Sequence, residues 1–143
     1  MKISDVLRDK GGQVVTTRPE RTVAHLVREL AEHGVGALVV TDAAGRIAGI
    51  VSERDVVRRL DDRGAALLDA PIGDIMTESV STCSPGDSLD DVMRVMTERR
   101  IRHLPVLRDG ELAGIVSIGD VVKTRIGELQ ATTDQLTSYI TGG

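Results

Sequence analysis

Residues 45–57 read GRIAGIVSERDVV and residues 110–122 read GELAGIVSIGDVV, so Gly49, Ile50, Val51, Ser52, Asp55, Val56 and Val57 meet identical partners 65 positions later. A duplication of this kind in a chain of 143 residues constrains the architecture first, because each copy is one supersecondary unit that must bury its apolar face against a neighbour. The expectation is a pseudo-twofold pair in which any pocket built by the repeated segment occurs twice. Two halves of about 60 residues would each bury only roughly 60% of their unfolded surface, against nearly 70% for the pair. The halves are therefore expected to share a core.

Apolar spacing and turn chemistry divide each copy in the same way. A short helical segment at Ile3–Arg8 and a turn at Gly11 and Gly12 lead to a β-branched run, 14–17, that reads as a strand. Val23, Leu26, Val27 and Leu30 recur at helical spacing from Thr22 to His33, where Gly34 supplies a C-terminal stop. Strands at 37–41 and 47–51 flank the turn residues Asp42 to Gly45, a hairpin pattern. Ser52 then opens a closing helix whose buried side is marked by Val56, Val57 and Leu60. The second copy repeats this with Ile72–Met76, a strand at 80–83, a helix at 88–99, a hairpin through Asp109 and Gly110, and a helix from Ile118 onward. The fold class is α/β (α+β), a tandem β-α-β-β-α repeat. Its expected boundaries are 1–63 for the first copy, 64–71 for a linker, 72–125 for the second copy and 126–143 for a helical extension. In that extension Ile126, Leu129, Thr133, Leu136 and Ile140 alternate spacings of three and four. This is either a short heptad seam between subunits or a helix docked on its own domain, and the reading leans to a homodimer.

Composition removes several functions. Aromatic residues make up 1% of the chain, with Tyr139 alone and no Phe or Trp, and the net charge is -4. A chain with no stacking platforms and no basic excess is not expected to bind nucleic acid. Cys83 is the single cysteine, which excludes an internal disulfide and suits a reducing cytoplasm. No apolar run approaches eighteen residues and no signal-peptide core follows Met1, so neither membrane nor export is expected.

The duplicated segment carries the candidate chemistry. In each copy a glycine and two apolar residues lead into Ser-x-x-Asp at a helix start, namely Ser52 with Asp55 and Ser117 with Asp120. One reading is a capping box, which satisfies the free backbone donors of the first turn, as Ser88 and Asp91 are read to do. The other is a nucleotide site. The first helical turn and a serine hydroxyl suit a phosphate, the glycine permits close approach of backbone, and a carboxylate accepts from the cis-diol of a ribose.

The chain resembles the CBS-domain pairs, named after cystathionine β-synthase. The resemblance rests on GIVSERD at 49–55 and GIVSIGD at 114–120, which match the family's Gly-apolar-apolar-Ser/Thr-x-x-Asp signature, and on IRHLPVL at 101–107, similar to its second-strand pattern. It extends from Ile3 to about Lys123. It implies two domains packed through their sheets, with two clefts for adenosine-containing ligands such as AMP, ADP, ATP, NAD(H) or S-adenosylmethionine. Carried over by position, Ser52 and Asp55 serve one cleft, walled by Thr82, Arg102 and His103. Ser117 and Asp120 serve the other, walled by Thr17, Val35, Gly36 and Ala37. The second-strand residues also approach their own copy's phosphate, and Arg102 and His103 are implied as phosphate ligands. The first copy has Val39 where the family often has Pro and Ala37 where the second has His103, while Arg54 offers a cation that Gly119 does not. The clefts are therefore expected to be inequivalent.

No catalytic pattern accompanies these turns. The chain lacks a Gly-x-Ser-x-Gly elbow, a His-Glu-x-x-His pair and a phosphate loop, and Val39 stands where a dinucleotide fingerprint needs its third glycine. His25 and His33 read as surface residues, and Cys83 as a packing residue. The expected function is a regulatory module without catalytic cofactor or metal that senses an adenine nucleotide and signals to a protein partner in trans. The alternative is a scaffold that oligomerises without ligand.

Overall fold

The computed structural model describes residues 1–11 and 14–142. The chain forms two compact units, one of Gln13–Ser81 and one that joins Met1–Gly12 to Thr82–Gly143.

The first of these holds β1 (Thr16–Thr17), α2 (Val23–His33), β2 (Ala37–Thr41), β3 (Ile47–Ser52) and α3 (Glu53–Arg63). Thr22 caps α2 by accepting from the His25 amide at 3.2 Å, and Gly34 ends the helix in the left-handed conformation at φ 62°. The sheet order is β1-β2-β3, with β1 parallel to β2 and β2 antiparallel to β3 in the register Ala37 to Ser52 and Val39 to Ile50. Asp42 Oδ1 closes the hairpin by accepting from the amides of Ala44 and Arg46, both at 2.9 Å. After α3 the expected linker is a 3-10 helix, Gly64–Asp69, followed by a single 3-10 turn, Ile72–Asp74.

The other unit holds α1 (Ile3–Lys10), α4 (Leu89–Arg99), β4 (His103–Arg108), β5 (Glu111–Ser117) and α5 (Ile118–Ile140). Strands β4 and β5 pair antiparallel, with His103 opposite Ser117. The strand expected at 80–83 is reduced to one parallel bridge from Cys83 to Val106. Ser88 accepts from the Asp91 amide at 3.1 Å, so the third Ser-x-x-Asp of the chain is a helix cap, as read from its spacing.

The segment that opens each copy in sequence packs in the unit of the other. Ile3 and Val6 of α1 are buried with Leu89, Leu104, Val116 and Val121, while Ile72 and Ile75 are buried with Leu26, Val51 and Val56. Ile50 and Thr77 exchange backbone hydrogen bonds at 3.0 and 2.9 Å. The motif glycines make room for these segments. A Cβ at Gly49 would meet Thr77 O at 2.7 Å and Met76 Sδ at 2.9 Å, and one at Gly114 would meet Leu7 Cδ2 at 2.6 Å.

The clusters bear on two expectations. The buried residues form two clusters, each inside one unit and each drawing on both sequence copies, so the copies share their cores by exchanging their opening segments. On α3 only Val56 is buried; Val57 is 66% exposed and Leu60 is 42% exposed. Adjacent helical residues point about 100° apart, so Val56 and Val57 do not both face one core. Val27 on α2 is likewise exposed.

Candidate functional site

Each Ser-x-x-Asp turn sits where the last strand of a hairpin becomes a helix. Ser52 ends β3 and is the N-cap of α3, and Ser117 ends β5 and is the N-cap of α5. Both adopt extended backbone angles, and in both the aspartate lies three residues into the turn, the spacing that lets its carboxylate reach back to the serine amide. The amide of Ser52 donates to Asp55 Oδ2 at 2.8 Å and that of Ser117 to Asp120 Oδ2 at 2.9 Å. The entry to the preceding strand closes the turn, since Glu53 N donates to Gly36 O at 2.9 Å and Ile118 N to Arg102 O at 2.8 Å. Of the free donors at each helix start, the amides of Arg54 and Gly119 have no partner among the described residues.

The turns differ in how the carboxylate is satisfied. Ser52 Oγ donates to Asp55 Oδ2 at 3.1 Å, and no bond to Asp55 Oδ1 occurs among the described residues. At the other turn Ser117 Oγ accepts from the Asp120 amide at 3.1 Å, and a capping box is present at both turns. The second donor to Asp120 Oδ2 is Lys10 Nζ at 2.8 Å, which also donates to Ile115 O at 2.8 Å. Burial pushes the Asp120 carboxyl up, but the hydrogen bonds from Lys10 and Ser117 and the charge of Lys10 outweigh it and hold the group below the usual aspartate value. Lys10 lies 110 residues from Asp120 in sequence, and no spacing pattern points to it.

The remaining candidate residues fall into two groups. Val35, Gly36 and Ala37 lie beside the Ser52 turn, with Ala37 opposite Ser52 and buried, and Val35 packed against the core of its own unit. Arg102 and His103 lie beside the Ser117 turn, with Arg102 exposed and His103 half-buried. Second-strand residues thus flank the turn of their own unit. Arg54 is exposed, and a Cβ at Gly119 would have Ser117 Oγ at 3.6 Å, an ordinary contact. Thr17 and Thr82, equivalent by repeat, differ in surroundings. Thr17 is 3% exposed in β1 with a hydroxyl that has no partner among the described residues, whereas Thr82 is exposed and outside any strand.

Other chemistries find little support among the described residues. No group of three or more His, Cys, Asp or Glu gathers as a metal site, and no helix is long and apolar enough to cross a membrane. His25 and His33 both pair with Glu29, at 3.4 and 3.2 Å. Cys83 is buried in the core, and burial, with the charge of Asp87, pushes its thiol up to about 12, far from a nucleophile's range.

Comparison with known proteins agrees with the duplicated architecture. The CBS domain family model matches residues 3–62 and again 72–127. CBS domain-containing protein CBSX3, mitochondrial, of Arabidopsis thaliana is 38% identical over 149 residues, covering 99% of this chain and 72% of that protein. The crystal structure of the CBS-domain protein ATU1752 from Agrobacterium tumefaciens superposes with a TM-score of 0.85 at 43% identity, covering 87% of this chain and 99% of that one. The CBS domain pair of protein MJ0100, solved in complex with 5'-methylthioadenosine and S-adenosyl-L-methionine, shares the fold with a TM-score of 0.80 at 23% identity, covering 90% and 98% of the two chains. With both sequence copies matched by the same model, this chain belongs to the CBS domain family.

Proposed function

We propose that this protein is a regulatory module that binds an adenine nucleotide, AMP, ATP or NAD(H), at its Ser-x-x-Asp turns and signals the bound state to a protein partner in trans. The observation that carries this reading is the Ser52 turn. There one carboxylate oxygen of Asp55 and the amide of Arg54 are unengaged among the described residues, an acceptor for a ribose diol and a donor for a phosphate within one helical turn. Ser52, Arg54 and Asp55 with Val35, Gly36 and Ala37 form the first set of ligand residues. Ser117, Gly119 and Asp120 with Arg102 and His103 form the second. Thr17 contributes a buried hydroxyl in need of a partner, and Thr82 completes the assignment. The adenosine-containing ligands in the MJ0100 complex support the ligand class. The protein acts in the cytoplasm without catalysing a reaction, and it works as a homodimer, for which the exposed Ile126, Leu129, Leu136 and Ile140 of α5 offer an apolar seam.

Melting the protein with AMP, ATP, NAD, NADH or S-adenosylmethionine tests this. A ligand at a hundredfold over its dissociation constant stabilises the native state by about 2.7 kcal/mol, read as roughly 2–4 °C per kcal/mol for a chain of this size. Asp55→Ala should reduce the shift. If none of these compounds moves the melting point, the scaffold reading takes over. One observation already favours that reading at the second turn, where Ser117, Asp120 and Lys10 satisfy one another.

A further inference from the structure

Helix α5 is docked at its start and bare beyond it. Val121 and Thr124 are buried, whereas every residue from 129 to 142 is exposed. A helical stretch of that length without tertiary contacts is marginal in water, because most helical stability comes from packing an amphipathic face. Such a face is present and begins before the bare part. Val122, Ile126, Leu129, Thr133, Leu136 and Ile140 follow one another at spacings of four, three, four, three and four, and all six are exposed. Those spacings read the same in both directions, so a second α5 laid antiparallel meets the seam at every position, as a twofold interface requires. The positions that flank the seam decide the direction. Lys123, Arg125, Gln130, Thr132, Thr137 and Tyr139 include two cations and no acid. A parallel pair would crowd the Lys123 and Arg125 side chains of both chains at one end. An antiparallel pair separates them and sets each beside the last turn of the other helix, where free carbonyls carry negative potential. Arg125, held by Asp90 and Glu128, then lies at the height of the partner's Tyr139, the chain's single aromatic and 84% exposed.

We propose that α5 pairs with α5 of a second copy of this chain, antiparallel and centred on Ala131. Val122 meets the partner's Ile140, Ile126 the partner's Leu136, and Leu129 the partner's Thr133. The proposal rests on the homodimer reading above and adds its face, direction and register. The seam and its flanks amount to about twelve residues a side, against roughly 20–30 in a standard interface, so the pair forms reversibly.

Sedimentation velocity of the full chain over a concentration series tests the pairing and should show a monomer-dimer equilibrium. Leu136→Lys should raise the dissociation constant at least tenfold. Its melting point, read where the chain is monomeric, should not change, because that side chain is exposed. Thr133→Val, which removes the one polar group of the seam, should tighten the pair. The direction is read with Lys123→Cys and Thr137→Cys, positions about 21 Å apart along one helix, treated with a short bismaleimide. Linked dimer should form in a mixture of the two variants and with neither alone; the native Cys83 is buried. A dimer indifferent to Leu136→Lys overturns the proposal without touching the homodimer reading. Linkage within either variant alone, or none in the mixture, overturns it as well. A parent chain that stays monomeric removes the homodimer reading and this proposal together, whereas nucleotide binding is judged by the melting shift alone.

Discussion

Leu7 of α1 lies over Gly114 of β5 so closely that a Cβ there would stand 2.6 Å from Leu7 Cδ2. The corresponding glycine of the first copy, Gly49, is covered by the backbone oxygen of Thr77 at 2.7 Å and by Met76. In the motif, then, the glycine admits a segment of the protein's own chain, which is reason enough for its presence in both copies.

Gly114→Ala should destabilise the protein by about 1–3 kcal/mol, the usual cost of overpacking. Pairing it with Leu7→Ala should recover part of that loss, because the obstructing atom is the end of a side chain. Gly49→Ala should cost at least as much and resist rescue by Met76→Ala, since a carbonyl cannot be trimmed. Chemical denaturation of the single and double variants reads both cycles; strict additivity for Gly114 and Leu7 would show that they do not press on each other.

Asp120 makes stability depend on pH in a defined direction. Its folded-state pKa lies below the ordinary value, so its contribution is complete above the unfolded aspartate range and is lost as pH falls through the folded pKa. Asp120→Asn should therefore melt below the parent protein by a constant margin from pH 7 to about pH 5, near the top of the unfolded titration range. Toward more acidic pH the two curves should converge. A gap that persists in acid would mean that the loss comes from packing and not from the charge.

Helix α5 is buried at Val121 and Thr124, and every residue from 129 to 142 is exposed. Ile126, Leu129, Thr133, Leu136 and Ile140 keep their three-and-four spacing along it. Removing residues 128–143 should lower the sedimentation coefficient by more than the lost mass explains if these side chains join two copies. An unchanged assembly state would show that α5 does not join two copies.

Much of this was legible in the chain because it depends on local chemistry. The helix at 88–99 has its serine cap and its aspartate in reach of each other by spacing alone, and the strand at 37–41 is written in four consecutive apolar residues and a β-branched threonine. The strand expected at 80–83 was not recoverable in this way, for a single bridge at Cys83 depends on a partner, Val106, 23 positions away. The buried faces of α2 and α3 were overdrawn for a related reason. Val27 and Val57 have the composition of core residues, but only the neighbours in space determine which side of a helix is covered.

The amino-acid order determined the duplication, the helix-hairpin-helix order of both copies and the two Ser-x-x-Asp turns, because a three-residue reach between side chain and backbone is the same in any context that starts a helix. Tertiary structure alone decided that α1 packs in the unit of the second copy and that Lys10 meets Asp120. That pairing joins residues 110 positions apart, and a contact of this range is set by which apolar surfaces bury each other, which no local pattern encodes.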